Sequence, residues 1–157
     1  MSSAAAILLG KGVPTGGKPA PHQRTCRSLR TQLGVSMFAL TYGNRANANG
    51  KCVSTWAHSQ TKNELTASAA CRTEQADATF TAAHSGQTFA QAYGTGDLSN
   101  AFGRCVSTKA SVASKSQQQA TVSAAKTCSG EQKAGATAFK QKYGTFGHCV
   151  SLHASGK

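Results

Sequence analysis

Apolar and small residues recur at steps of three and four along most of this chain, the spacing of one face of an α-helix. Near the C-terminus Cys128, Gln132, Gly135, Phe139 and Tyr143 share such a face. In the middle Cys71, Gln75, Ala78, Ala82, Phe89 and Tyr93 do the same. There the interval from Cys to Phe is 18 residues instead of 11, and the two added turns keep the helical phase. In the first such stretch the interval is 12, and Leu29, Leu33, Met37 and Leu40 carry the stripe. Two connecting stretches run at the same steps: Val53-Ala57-Gln60-Glu64-Ala67-Cys71 and Val106-Ala110-Ala113-Gln117-Ala120-Ala124-Cys128. These stripes are built from Ala and Gln more than from Leu or Ile. They predict helices in close contact through small side chains rather than around a thick core.

The stripes belong to a phrase that occurs three times. It consists of a Cys, an aromatic pair ending in Tyr-Gly, and a second Cys followed by Val-Ser. The copies are Cys26, Phe38, Tyr42-Gly43 and Cys52; Cys71, Phe89, Tyr93-Gly94 and Cys105; and Cys128, Phe139, Tyr143-Gly144 and Cys149. All six cysteines fall in this pattern. The Gly after each Tyr reads as a left-handed helix terminator, and Asn47, Asn100 and Thr145 stand where the following helix would be capped. Gly34, Gly86 and Gly135 each precede the Phe of their copy by three or four residues. A Gly costs a helix interior about 1 kcal/mol relative to Ala, so its return in all three copies predicts a bend.

The bend decides the cysteine pairing. In an unbroken helix Cys128 would lie more than about 20 Å from the turn, at 1.5 Å per residue. Folding back at Gly135 instead returns the chain to the level of Cys128, where Cys149 starts the next helix, and Gly34 does the same for Cys26 and Cys52. Of fifteen complete pairings, the geometry selects Cys26–Cys52, Cys71–Cys105 and Cys128–Cys149. The expected fold is therefore all-α: three degenerate helical repeats in one elongated, disulfide-stapled domain over residues 25–157. The repeats span about 26–54, 71–107 and 128–151, with helical connectors.

Composition adds two constraints. The 157 residues are 39% hydrophobic, much of it Ala, so the core is thin and staples are needed. The net charge of +12 is uneven. Residues 1–52 carry seven Lys and Arg and no acid, residues 53–105 three bases and four acids, and residues 106–157 seven bases and one acid. Such a surface attracts polyanions of many kinds. Contacts are expected from the two basic ends, chiefly Arg24, Arg27, Arg30 and Arg45 with Lys126, Lys133, Lys140 and Lys142. The apolar run Ala4–Leu9 is too short to span a membrane and has no basic residue ahead of it. Residues 1–24 read as a disordered leader or a vestigial export segment, and no membrane span is expected.

Candidate chemistry is sparse. Gly12-Val-Pro-Thr-Gly-Gly17-Lys18 has the spacing of a phosphate-binding loop, but Pro19 stands where a Ser or Thr would ligate magnesium, and Pro21 opposes the helix that should begin there. His148, Cys149 and His153 offer zinc ligands near one helix face. The matching residues elsewhere are Lys51, Cys52 and Trp56, and Arg104, Cys105 and Lys109, which are not a ligand set. No metal site and no cofactor are expected. Five acids without a paired spacing, and His22, His58 and His84 outside any motif, give no nucleophile–base set, so no catalytic residue is assigned and the chain is not read as an enzyme. The Phe/Tyr pairs, at i and i+4, read as core wedges rather than base-stacking platforms. Trp56 is a lone aromatic without a role.

Cys71-Arg72-x-Glu74, Phe89-x-x-x-Tyr93-Gly94 and Asn100-Ala-Phe-Gly-Arg-Cys105-Val-Ser together resemble a phrase common in uncharacterised bacterial Cys-rich repeat proteins, often predicted to be exported. The resemblance covers roughly residues 26–151 and is best in the second copy; the third has Ser129 in place of Arg. It implies repeat architecture and an exported location, and it carries no known activity. Two function classes remain. One is a non-enzymatic structural or adhesive protein of an oxidising compartment, secreted or in the cell envelope, that binds an anionic polymer or copies of itself. The other is a nucleic-acid-binding protein, for which a cytoplasmic location is the alternative, with basic helices on phosphate. Disulfides favour the first, because cytosolic proteins rarely keep them.

Overall fold

Residues 20–43 and 46–156 are described by the computed structural model, and among them there are helices and turns but no strand. Helix α1 (Pro21–Tyr42) opens with Pro21, whose missing N–H would have had no helical acceptor. His22, Gln23 and Arg24, within the leader expected over 1–24, are therefore helical. Residues 1–19 lie outside the described residues, and with them the phosphate-loop spacing at Gly12–Lys18; so does Arg45.

Within α1 the chain kinks at Gly34, with φ 72° and ψ 164°, a backbone region open almost only to glycine. The kink brings Phe38 and Ala39 into the core beside Leu29 and Leu33, and it leaves Leu40 half exposed. Of the stripe expected beyond the kink, Met37 still packs against this core and only Leu40 leaves it.

Helix α2 (Ala48–Ala76) ends earlier than its apolar period suggests. Asp77 Oδ1 accepts hydrogen bonds from the backbone N–H and the hydroxyl of Thr79, at 2.8 and 2.7 Å. That local turn competes with a further helical turn and wins. The unbroken phase expected through Gln75, Ala78 and Ala82 is not found, and all three residues are exposed. The inserted residues form the short helix α3 (Phe80–Ala83), which buries Phe80 with its ring 5.6 Å from that of Phe89. After Gly86, at φ 85°, helix α4 (Phe89–Tyr93) opens with a capping box between Thr88 and Gln91.

Helix α5 (Ala101–Ala134) lies antiparallel to α2. Cys71, late in α2, is bonded to Cys105, early in α5, and Asn63 donates to Ser114 and Gln117 at 3.1 Å each. Gly135 separates α5 from α6 (Ala136–Tyr143), and α7 (Phe146–Ala154) follows. Of the expected caps, Thr145 accepts from the His148 N–H. Asn100 instead bonds back to the backbone and hydroxyl of Thr95, closing the loop before α5. Gly43 and Gly144 have positive φ, whereas Gly94 is extended at φ −78°. Gly94 is required for space, because a Cβ there would strike the Ala90 carbonyl oxygen and Leu98.

Disulfides join Cys26 to Cys52, Cys71 to Cys105 and Cys128 to Cys149, with Cα atoms 5.9, 6.1 and 6.0 Å apart. The first and third of these Cys–Cys segments share one core, in which Leu29, Phe38, Trp56, Ala125, Phe139 and Phe146 are buried together. The second keeps a smaller core of Cys71, Phe80, Phe89, Ala101 and Cys105 at the far end of α2 and α5. No helix among the described residues is long and apolar enough to cross a membrane.

Candidate functional site

Each disulfide ties two helices together, and side chains three or four residues beyond a Cys lie one turn further along the same face. The Tyr of the short aromatic stretch closes over that turn. In the third segment this brings together Glu131, three residues after Cys128, His153, four after Cys149, and Tyr143. The Tyr143 hydroxyl donates to Glu131 Oε2 at 2.8 Å, and His153 Nε2 lies 3.1 Å from both Glu131 Oε1 and the Tyr143 oxygen. The second segment places Glu74, Lys109 and Tyr93 in the same relation, with Tyr93 donating to Glu74 at 2.9 Å and Lys109 Nζ at 2.8 Å from it. In the first segment the corresponding residues are Leu29, Trp56 and Tyr42. There the indole N–H of Trp56 donates to the Tyr42 hydroxyl at 2.9 Å.

The electrostatics follow from these contacts. Lys109, through its hydrogen bond, holds the Glu74 carboxyl below the usual carboxylate range, and Tyr93 adds to the effect. Glu74 in turn raises Lys109. Glu131 is lowered first by the Tyr143 hydroxyl and then by Lys142 and His153. Burial pushes the Tyr42 phenol up, against the Trp56 hydrogen bond. Phe38/Tyr42, Phe89/Tyr93 and Phe139/Tyr143 each hold their rings 5.0 Å apart. These sets anchor the aromatic helices on the disulfide-linked pairs. Trp56, given no role by the sequence, is a core residue that is 5% exposed. The signal for it was its position four residues after a Cys, shared with Lys109 and His153.

The histidines of the zinc spacing part company. His148 turns its Nδ1 to the Tyr143 carbonyl oxygen, 2.9 Å away. His153 stays close to the disulfide: one of its ring nitrogens and the sulfurs of Cys128 and Cys149 all lie within 4.8 Å of one another.

One cation from each basic end, Arg24 and Lys115, lines a common groove. Gln118 of α5 donates to Ser28 of α1 at 2.8 Å. Beside this contact a groove of about 630 Å³ runs between α1, α2 and α5, with Arg24, His22, Lys115, Ser111 and Gln118 in its wall. Its one acid, Glu64, accepts from Gln60 at 2.8 Å. Of the eight residues expected to bind a polyanion, Arg24 lines this groove, and Arg27, Arg30, Lys126, Lys133 and Lys140 are exposed on α1, α5 and α6. Lys142 is paired with Glu131 at 3.6 Å and lies 4.7 Å from the Tyr143 ring centre. Arg45 is outside the described residues. Lys115 was missed, because nothing in the sequence places it opposite Arg24. Arg104 bonds the Tyr93 carbonyl oxygen through its Nε at 3.2 Å, so it ties the second segment together.

No family model, curated protein or solved structure matches this chain.

Proposed function

We propose that this chain is a non-enzymatic structural or adhesive protein, secreted or held in a cell envelope, that grips an anionic polymer. In this reading it is built from three degenerate helical repeats in an elongated, stapled domain. The observation that carries the reading is the groove between α1, α2 and α5, where Arg24 from one basic end faces Lys115 from the other. Exposed Arg27, Arg30 and Lys126 extend the positive field around it. The three disulfides suit an oxidising compartment. The elongated form is supported by α5, whose 34 residues rise about 50 Å, with a separate core near each end. The repeat reading is supported by the equal Phe–Tyr ring spacing and by the matching Tyr–Glu–base sets of the second and third segments.

Titration of heparin and of mixed-sequence duplex DNA onto the full chain at rising salt tests the reading. Affinity is expected to fall steeply with salt, and Arg24→Glu with Lys115→Glu should weaken both ligands by about ten-fold or more. Lys62→Glu with Arg72→Glu, on the exposed face of α2, should change little. Equal losses from the two pairs would remove the groove from the account. Binding that ignored salt would remove the electrostatics. Strong discrimination among duplex sequences would favour a nucleic-acid reader instead.

A further inference from the structure

We propose that the Cys128–Cys149 disulfide covers a latent metal site, which opens on reduction and takes one zinc-class divalent cation through Cys128, Cys149 and His153. One imidazole nitrogen lies within 4.8 Å of both sulfurs, which once unbonded need part only to about 3.8 Å to surround a tetrahedral zinc at Zn–S of about 2.3 Å. His153 Nε2 lies 3.1 Å from both Glu131 and the Tyr143 hydroxyl, so in this proposal Nδ1 is the nitrogen that turns to the metal. A carboxylate behind the imidazole is the usual support of a metal-bound histidine. Both sulfurs are fully buried, and charge favours the site there: two thiolates, a neutral imidazole and a dication sum to zero, whereas a lone buried charge is costly. A water would complete the fourth position.

The step balances. A dithiol reductant gives two electrons and two protons to the Cys128–Cys149 bond, which breaks to two thiols as the reductant closes to its own disulfide. The cation then displaces both thiol protons to solvent. Disulfide and metal exclude each other, so the site reads the redox state of its surroundings.

The other two cysteine pairs lack the third ligand. At the position of His153 the first segment has Trp56 and the second has Lys109, whose ammonium is paired with Glu74 at 2.8 Å and would repel a cation. The second segment nevertheless has the supporting carboxylate and tyrosine in place, so a single change should complete it. Sequence spacing offers His148, Cys149 and His153; the structure keeps Cys149 and His153 on α7 and supplies Cys128 from α5.

Cobalt(II) titration of the full chain reports both stoichiometry and thiolate ligation by absorption, with circular dichroism following the helix content. The oxidised chain is expected to bind none tightly and the phosphine-reduced chain one equivalent, with thiolate-to-cobalt charge transfer. Reduced His153→Ala should lose that equivalent. Reduced Glu131→Gln should bind about 10–100-fold more weakly. Reduced Lys109→His should bind two equivalents. Any of four results overturns the proposal: no binding by the reduced wild type, whether or not it stays helical; three equivalents in the wild type; undiminished binding by His153→Ala; or Lys109→His remaining at one.

Discussion

Gly50, Gly103 and Gly147 stand at the same place, two residues before the second Cys of each segment, yet they do different work. Gly147 lies against the C-terminal end of α1, and a Cβ built on it would be 2.6 Å from the Thr41 carbonyl oxygen. Backbone on both sides leaves that clash no flexible side chain to absorb it. Around Gly50 and Gly103 there is open space within 4 Å. Gly147→Ala should therefore destabilise by about 1–3 kcal/mol, as overpacking does. Gly103→Ala should stabilise by up to about 1 kcal/mol through helix propensity alone. Chemical denaturation of the two variants checks the opposite signs. A loss from both would mean that Gly103 too is covered, by a contact that the isolated chain does not have. At this scale the three glycines cannot be told apart in the sequence, because the difference lies in which distant backbone arrives. For Trp56 the position four residues after a Cys was legible but the partner was not, since Tyr42 comes from α1, beyond the kink at Gly34.

The elements themselves were more legible, where a cause was local. The breaks at Gly34, Gly86 and Gly135 could be read because a recurring glycine is a cost that only a bend explains, and the cysteine pairs follow from bends in those places. The break after Ala76 could not be read, since Ala78 and Ala82 keep the helical period while one Asp77 side chain diverts the backbone. The bends also differ in what they demand. Gly34, at φ 72° and ψ 164°, occupies a region nearly closed to other residues, whereas Gly135, at φ −169°, is extended backbone that any residue adopts. A Cβ on Gly135 would meet only the Ala138 Cβ, at 3.8 Å. Gly34→Ala is thus expected to cost about 1–3 kcal/mol, and Gly135→Ala close to nothing. Thermal melts of the pair decide it, and equal losses would mean that both bends are held by something other than backbone preference.

Over the whole molecule, the distribution of buried surface sets which part opens first. The core shared by the first and third segments contains sixteen buried residues, and that of the second contains five. The disulfides do not offset this difference. Their separations of 26, 34 and 21 residues give closure terms that differ by less than about 0.5 kcal/mol. The far end of α2 and α5, with α3 and α4, thus depends on its staple more than the other end does. Native-state hydrogen exchange should show the amides of α4 and of α5 near Cys105 opening well below the global free energy, and those of α5 near Cys128 opening close to it. Cys71→Ser with Cys105→Ser should loosen the far end by about 3–4 kcal/mol and release α3 and α4, while leaving formed the groove proposed to bind an anionic polymer. Heparin affinity of that variant should match the wild type, because Arg24 stands on the helix that carries the larger core and Lys115 lies ten residues beyond Cys105 on α5. If exchange were uniform along α5, or if the double variant lost heparin binding together with its far-end protection, the two cores would be one cooperative unit. Charge at one end would then depend on packing at the other.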